Sequence, residues 1–218
     1  MNSIFLRHIS PIPICKKEIL RYAGVKKSSV RSEKLLDECL KRIEDSWYST
    51  VYYTEVGVKI EGNKCVFDSF CTVSNGLAQN LAGCDRVKIM VATVGFEIDR
   101  LIEMYSHISP SKAVMYDAIG TDMVEQTCNL FCRTIEREEG VFLKPRFSPG
   151  YGDLSLEVQK NIFDIFGRKD MGIILDDSLL MHPTKSVTAF AGITDVKYEK
   201  KYNKCSQCAK TDCVYRGV

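Results

Sequence analysis

The sequence predicts an α+β domain with a central, largely antiparallel twisted sheet flanked by helices. Three observations carry this. Thr50 to Ile60 alternates β-branched and aromatic residues, turns at Glu61-Gly62-Asn63 and returns over Cys65 to Phe70, which is a hairpin pattern. Arg86 to Thr93 is apolar and β-rich, as a buried central strand is. Ser111 to Glu139 carries the longest helical periodicity. Strands and helices mix without strict β-α-β alternation, which argues against a doubly wound sheet.

In chain order, Ile12 and Ile14 alternate around Pro13 and predict a short edge strand. Lys16 to Ala23 reads as a short helix stopped by Gly24. Ser32 to Asp45 reads as a second helix, with Leu35, Leu36, Cys39, Leu40 and Ile43 on one face and Ser32 as N-cap. After the hairpin, Val73 to Ala82 is a short helix broken at Gly83. Phe96 to Tyr105 is helical beyond Gly95. The long helix over 111–139 is expected to kink or divide near Gly120. Phe142 to Phe147 is a strand, Ser155 to Phe166 a helix, and Ile173–Leu175 and Ser186–Ile193 are further strands. From Asp195 the chain turns polar and then cysteine-rich.

The bulk properties exclude several function classes. The 30 basic and 28 acidic residues nearly cancel, and no block of like charge points to nucleic acid or an anionic membrane. No apolar run reaches the length of a membrane span. Nothing at the start reads as a signal peptide, so the ten cysteines are expected to be reduced thiols or metal ligands in the cytoplasm. No phosphate loop, dinucleotide fingerprint or nucleophile elbow is present, and His8, His107 and His182 are scattered.

Two stretches carry chemistry. In Arg146-Phe147-Ser148-Pro149-Gly150-Tyr151, Pro149-Gly150 reads as the central pair of a type II turn flanked by a cation and a phenol. Such a turn lets backbone approach a ligand, and a guanidinium grips a carboxylate bidentately. On spacing alone it reads first as an ordinary strand-to-helix connection. Glu125 sits mid-helix, where a carboxylate is most often a solvated face residue. The second stretch is Cys205-x-x-Cys208-x-x-x-x-Cys213, whose thiolates suit zinc or an iron–sulfur cluster, a redox pair or plain reduced thiols.

The turn, followed by Met181-His182-Pro183-Thr184-Lys185-Ser186-Val187, resembles the activation domain of vitamin B12-dependent methionine synthase. That family carries Arg-x-x-Pro-Gly-Tyr and, about thirty residues on, Met-x-Pro leading into Ser-Val and a strand. The likeness is closer to small stand-alone relatives, matched further by Glu18 to Gly24, by Ala92-Thr93-Val94-Gly95 with Ile98-Asp99, and by Asp117-Ala118-Ile119-Gly120. It covers residues 1–194, leaving 195–218 as an added cysteine-rich tail.

The resemblance implies a C-shaped domain that binds S-adenosylmethionine near the turn. Its activity would be reductive methylation of cob(II)alamin on a separate cobalamin-binding methyltransferase, with an electron donor such as a flavodoxin or ferredoxin. It implies Arg146 for the methionyl carboxylate, Pro149, Gly150 and Tyr151 for the binding turn, and Glu125 as a carboxylate in the preceding helix. Where the family has aromatic residues including a ligand-contacting tyrosine, this chain reads Thr188-Ala189-Phe190-Ala191-Gly192. The expected opposite pocket wall, at Ala191 and Gly192, thus lacks that group.

Overall fold

A computed structural model describes residues 3–43, 47–167 and 171–196. A seven-stranded sheet runs in the order β4 (Cys71–Val73), β3 (Lys64–Phe67), β2 (Ser49–Glu61), β5 (Arg86–Thr93), β9 (Ser186–Thr194), β6 (Phe142–Leu143), with β1 (Phe5–Ile9) also on β2. Every pairing among the described residues is antiparallel. The thirteen-residue β2 is long enough to pair twice on one edge, with β1 over its first half and β3 over its second. Its two-residue loop puts Gly62 at φ +65°, where a Cβ is disfavoured.

Alternation along the buried strands divides the side chains between two cores. One face carries Val51, Tyr53, Met90, Ala92, Ala189 and Ala191, covered by α1 (Lys16–Tyr22), α2 (Val30–Leu40), α4 (Glu97–Ile108) and α5 (Pro110–Glu139). The other carries Val56, Val87, Ile89, Val91 and Phe190, covered by α3 (Asn75–Leu81) and α6 (Val158–Phe166). Phe67 stacks on Phe190 at 5.2 Å between ring centres, which fixes β3 against that second core.

Several expected boundaries shift, each for a physical reason. The first strand is Phe5–Ile9, and residues 10–14 form no strand, because β2 offers its free edge to 5–9. Ser29, not Ser32, caps α2: the two serines exchange capping bonds, and the helix starts at Val30. The strand read as Cys65 to Phe70 stops at Phe67 as β3; residues 68–70 bend, and a separate strand, β4, follows and pairs back on β3. Ser74 accepts from the Leu77 amide at 3.0 Å and starts α3 at Asn75. β7 (Ile174–Leu175) falls within the strand expected at 173–175, but its hairpin partner β8 (Met181–His182) escapes the sequence because a two-residue strand carries no periodicity.

The long helix does not divide at Gly120; α5 runs unbroken for 30 residues. Glycine serves there for closeness. A Cβ at 120 would stand 2.6 Å from Ile98 Cγ2 and 2.8 Å from Lys185 Cγ, so both α4 and the chain entering β9 press on the helix backbone. Lys185 then reaches Asp117 Oδ1 at 2.7 Å and Thr121 Oγ1 at 3.1 Å. Thr184 donates its amide to Asp99 at 2.9 Å and its hydroxyl to the same carboxylate. Ser186 Oγ lies 2.9 Å from Thr93 Oγ1. The segments Thr93–Gly95, Asp99, Asp117–Gly120 and Met181–Ser186 therefore meet at one end of the sheet and lock α4 and α5 to it.

Candidate functional site

The site begins with a fault in the ladder. Leu143 faces Ile193 and Phe147 faces Phe190, so residues 144–146 stand opposite only 191 and 192. One extra residue on one strand is a β-bulge, which re-aims the side chains beyond it. Pro145 sits in the bulge, where its missing N–H breaks no ladder bond. Before the bulge, Leu143 points to the α5 side. Beyond it, Phe147 points to the α3–α6 side, and Arg146 faces α5. Without the extra residue both would swap faces.

Arg146 donates from Nη1 to Asn129 Oδ1 at 2.9 Å and from Nη2 to Glu125 Oε2 at 2.8 Å. Glu125 and Asn129 are one helical turn apart and present one surface to the guanidinium. The arginine side chain is 20% exposed and the glutamate 43%. Burial works against the arginine charge. Cys128, Cys132 and Glu125 outweigh it, and the pKa lies above the ordinary arginine value. Tyr22, from the end of α1, also faces this region: burial and the charge of Glu125 raise its phenol. Asp122, one turn before Glu125, is buried and accepts from the Cys15 amide at 2.8 Å. Burial raises its pKa above the ordinary aspartate value.

The following turn has the predicted form. Tyr151 N donates to Ser148 O at 3.1 Å, and Gly150 takes φ +82°, which together define a type II turn with Pro149 first and Gly150 second. Pro149 is buried and Gly150 exposed. Tyr151 is 53% exposed, its ring edge-on to Phe147 at 5.4 Å.

The structure thus brings Arg146 and Glu125 into contact on the α5 side, while the turn of Pro149, Gly150 and Tyr151 that follows in the chain packs through Tyr151 on Phe147, which faces α3 and α6. Asn129 is a partner that the sequence reading missed; its i,i+4 spacing from Glu125 was the available signal. Asp153 was missed too. Its carboxylate accepts from Ser74 Oγ at 2.5 Å, Asn75 N at 2.6 Å and Gly76 N at 3.1 Å, and those bonds, Ser74 first, hold its pKa down to about 2. Ala191 and Gly192 form no wall of an open pocket. Both lie within β9, Ala191 fully buried, and a Cβ at 192 would meet Cys84 Sγ at 2.7 Å.

The likeness that decides the fold is structural. A solved structure of the MetH reactivation domain bound to AdoHcy matches with a TM-score of 0.65, at 12% sequence identity, over 90% of this chain and 80% of that one. The fold is the reactivation-domain fold. No family model matches the chain, and no curated protein is similar to it.

On this reactivation-domain fold the other sequence candidates are placed as follows. His182 Nε2 lies 2.9 Å from Asp176 Oδ2, across the β7–β8 hairpin. Asp176 also accepts from Ser178 and from the Leu180 amide, and these bonds, Ser178 first, keep it well below the usual carboxylate range. The serine hydroxyl is thereby engaged with the carboxylate rather than with the imidazole. Cys205, Cys208 and Cys213 lie outside the described residues. Among the described residues, no three His, Cys, Asp or Glu side chains gather to hold a metal, and no helix is long and apolar enough to cross a membrane.

Proposed function

We propose that this chain is a stand-alone reactivation component. It binds S-adenosylmethionine at the Arg146–Tyr151 turn and supports reductive methylation of cob(II)alamin held by a separate methyltransferase. One observation carries the reading: a guanidinium braced between Glu125 and Asn129, three residues ahead of a Pro-Gly turn, on a fold shared with a domain crystallised with AdoHcy.

The side chains fit the amino-acid end of such a ligand. Arg146 is the partner for a carboxylate, in the bidentate manner that a guanidinium allows. Glu125 already sits within reach of that group and is the partner for the α-ammonium. The bare backbone of Gly150 admits close approach, and the exposed Tyr151 ring offers an apolar face. When bound, S-adenosylmethionine supplies the methyl sulfonium; the chain's part is to fix its orientation towards the partner's corrin. The electron comes from a separate donor of the flavodoxin or ferredoxin class. A zinc ion or iron–sulfur cluster on Cys205, Cys208 and Cys213 remains part of the proposal, tested by metal analysis of anaerobically purified protein.

Titration calorimetry with S-adenosylmethionine tests the central reading. Wild type should bind, and Arg146→Ala should lose charge-assisted hydrogen bonds of about 1.5–3 kcal/mol, roughly a 10- to 150-fold weakening. Absence of binding to wild type, with the cobalamin-carrying partner present, would sink the assignment.

A further inference from the structure

We infer that Asp153 is the positioning residue of this site, clamping the Arg146–Tyr151 turn to the first amides of α3. The inference rests on the reading of that turn as a ligand-binding element. Residues 148–157 belong to no helix or strand. Their own bonds are short-range: Tyr151 N to Ser148 O, Gly150 N to Leu154 O at 2.9 Å and Leu154 N to Tyr151 O at 3.1 Å. Such bonds shape the loop without placing it. The Asp153 carboxylate ties its apex to α3 across a sequence separation of 77–79 residues, through one hydroxyl and two amides.

Capping of α3 alone does not explain Asp153. Ser74 already caps that helix through the Leu77 amide at 3.0 Å. What Asp153 adds is the long-range tie. The packing around it agrees. A Cβ at Gly76 would stand 2.9 Å from Phe147 Cζ and 3.1 Å from Asp153 Oδ1, so α3 meets the turn with bare backbone. Phe147 follows Arg146 directly in the chain and holds the Tyr151 ring edge-on. Asp153, Gly76, Phe147 and Tyr151 therefore form one contact chain that fixes the turn and the backbone bearing the guanidinium.

Three variants test this, with two readouts. Asp153→Asn keeps one acceptor oxygen, and Asp153→Ala keeps none. Hydrogen exchange of residues 148–154 should quicken at least tenfold in Asp153→Ala and less in Asp153→Asn, with α5 and the central strands unchanged. Dissociation constants for S-adenosylmethionine should rise in the same order, by at least tenfold in Asp153→Ala. Gly76→Ala, which crowds the same contact without touching the charge, should loosen the turn as well. Unchanged exchange over 148–154 overturns the clamp. Unchanged affinity in a variant whose turn has loosened overturns the positioning role. If wild type binds no S-adenosylmethionine, the functional reading fails first, and the exchange result alone judges the clamp.

Discussion

The Arg146 guanidinium lies 2.8 Å from the Glu125 carboxylate, joining the bulged end of the β6 edge to the middle of α5. The pair holds the cation at a partly exposed position with its orientation set. Asn129 completes the brace from the next turn of the same helix. A planar fork can meet both acceptors at once, whereas an ammonium cannot reproduce that geometry.

Arg146→Lys should therefore behave as a loss despite conserved charge. Calorimetric affinity for S-adenosylmethionine is expected to fall at least tenfold, with circular dichroism unchanged. Affinity equal to wild type would mean that only the charge matters.

Gly120→Ala should destabilise. In an exposed helix interior this change gains about 1 kcal/mol. Here the new Cβ would overlap Ile98 and Lys185, at 2.6 and 2.8 Å. Overpacking costs of about 1–3 kcal/mol reverse the sign. The net loss of up to about 2 kcal/mol would lower the Tm by up to roughly 8 °C. A rise in Tm would show that Lys185 swings aside freely.

Asp122→Asn should leave stability at neutral pH equal or higher by up to about 1 kcal/mol, because burial makes the charged form unfavourable there. The sign follows from its raised folded pKa, caused first by burial. Its contribution is full below the unfolded value of 3.8 and is lost as pH rises through the folded value. Wild type should thus gain on the variant as pH falls from 7 towards 4 in urea melts. A difference independent of pH would refute this.

Lys88→Met should cost about 1–3 kcal/mol in the same melts, less than a fully buried pair because both carboxylates reach solvent. Lys88 is nearly fully buried in β5, and its Nζ lies 2.8 Å from Glu55 and from Glu139. Burial lowers its pKa, but Glu139 and Glu55 outweigh that and raise it. The stabilisation should therefore persist below pH 10.5 and be lost as pH rises through the folded value. Equal stability of the variant at pH 7 would show that the C-terminal end of α5 is held by packing alone.

Much of this architecture is legible from local rules. β2, β5 and α5 announce themselves because their apolar patterns are long and their periods differ. The type II turn is readable because only Pro and then Gly suit its two central positions. Other short elements are not readable: the two-residue β8 carries no period, and β1 is a strand because β2 has an edge for it.

Local patterns along the chain specify the α+β class, and adjacent residues specify the turn at Ser148–Tyr151 and the cation just ahead of it. Which way that cation points is set by packing between distant segments. One extra residue opposite Ala191 and Gly192 turns Arg146 towards Glu125 and Asn129 and sends Phe147 to the other face. Strand register is a relation between distant segments, and side chains change face with each single-residue slip, so local pattern cannot specify it. The same holds for Asp153, whose partners lie at residues 74–76 and are brought to it by the packing of α3.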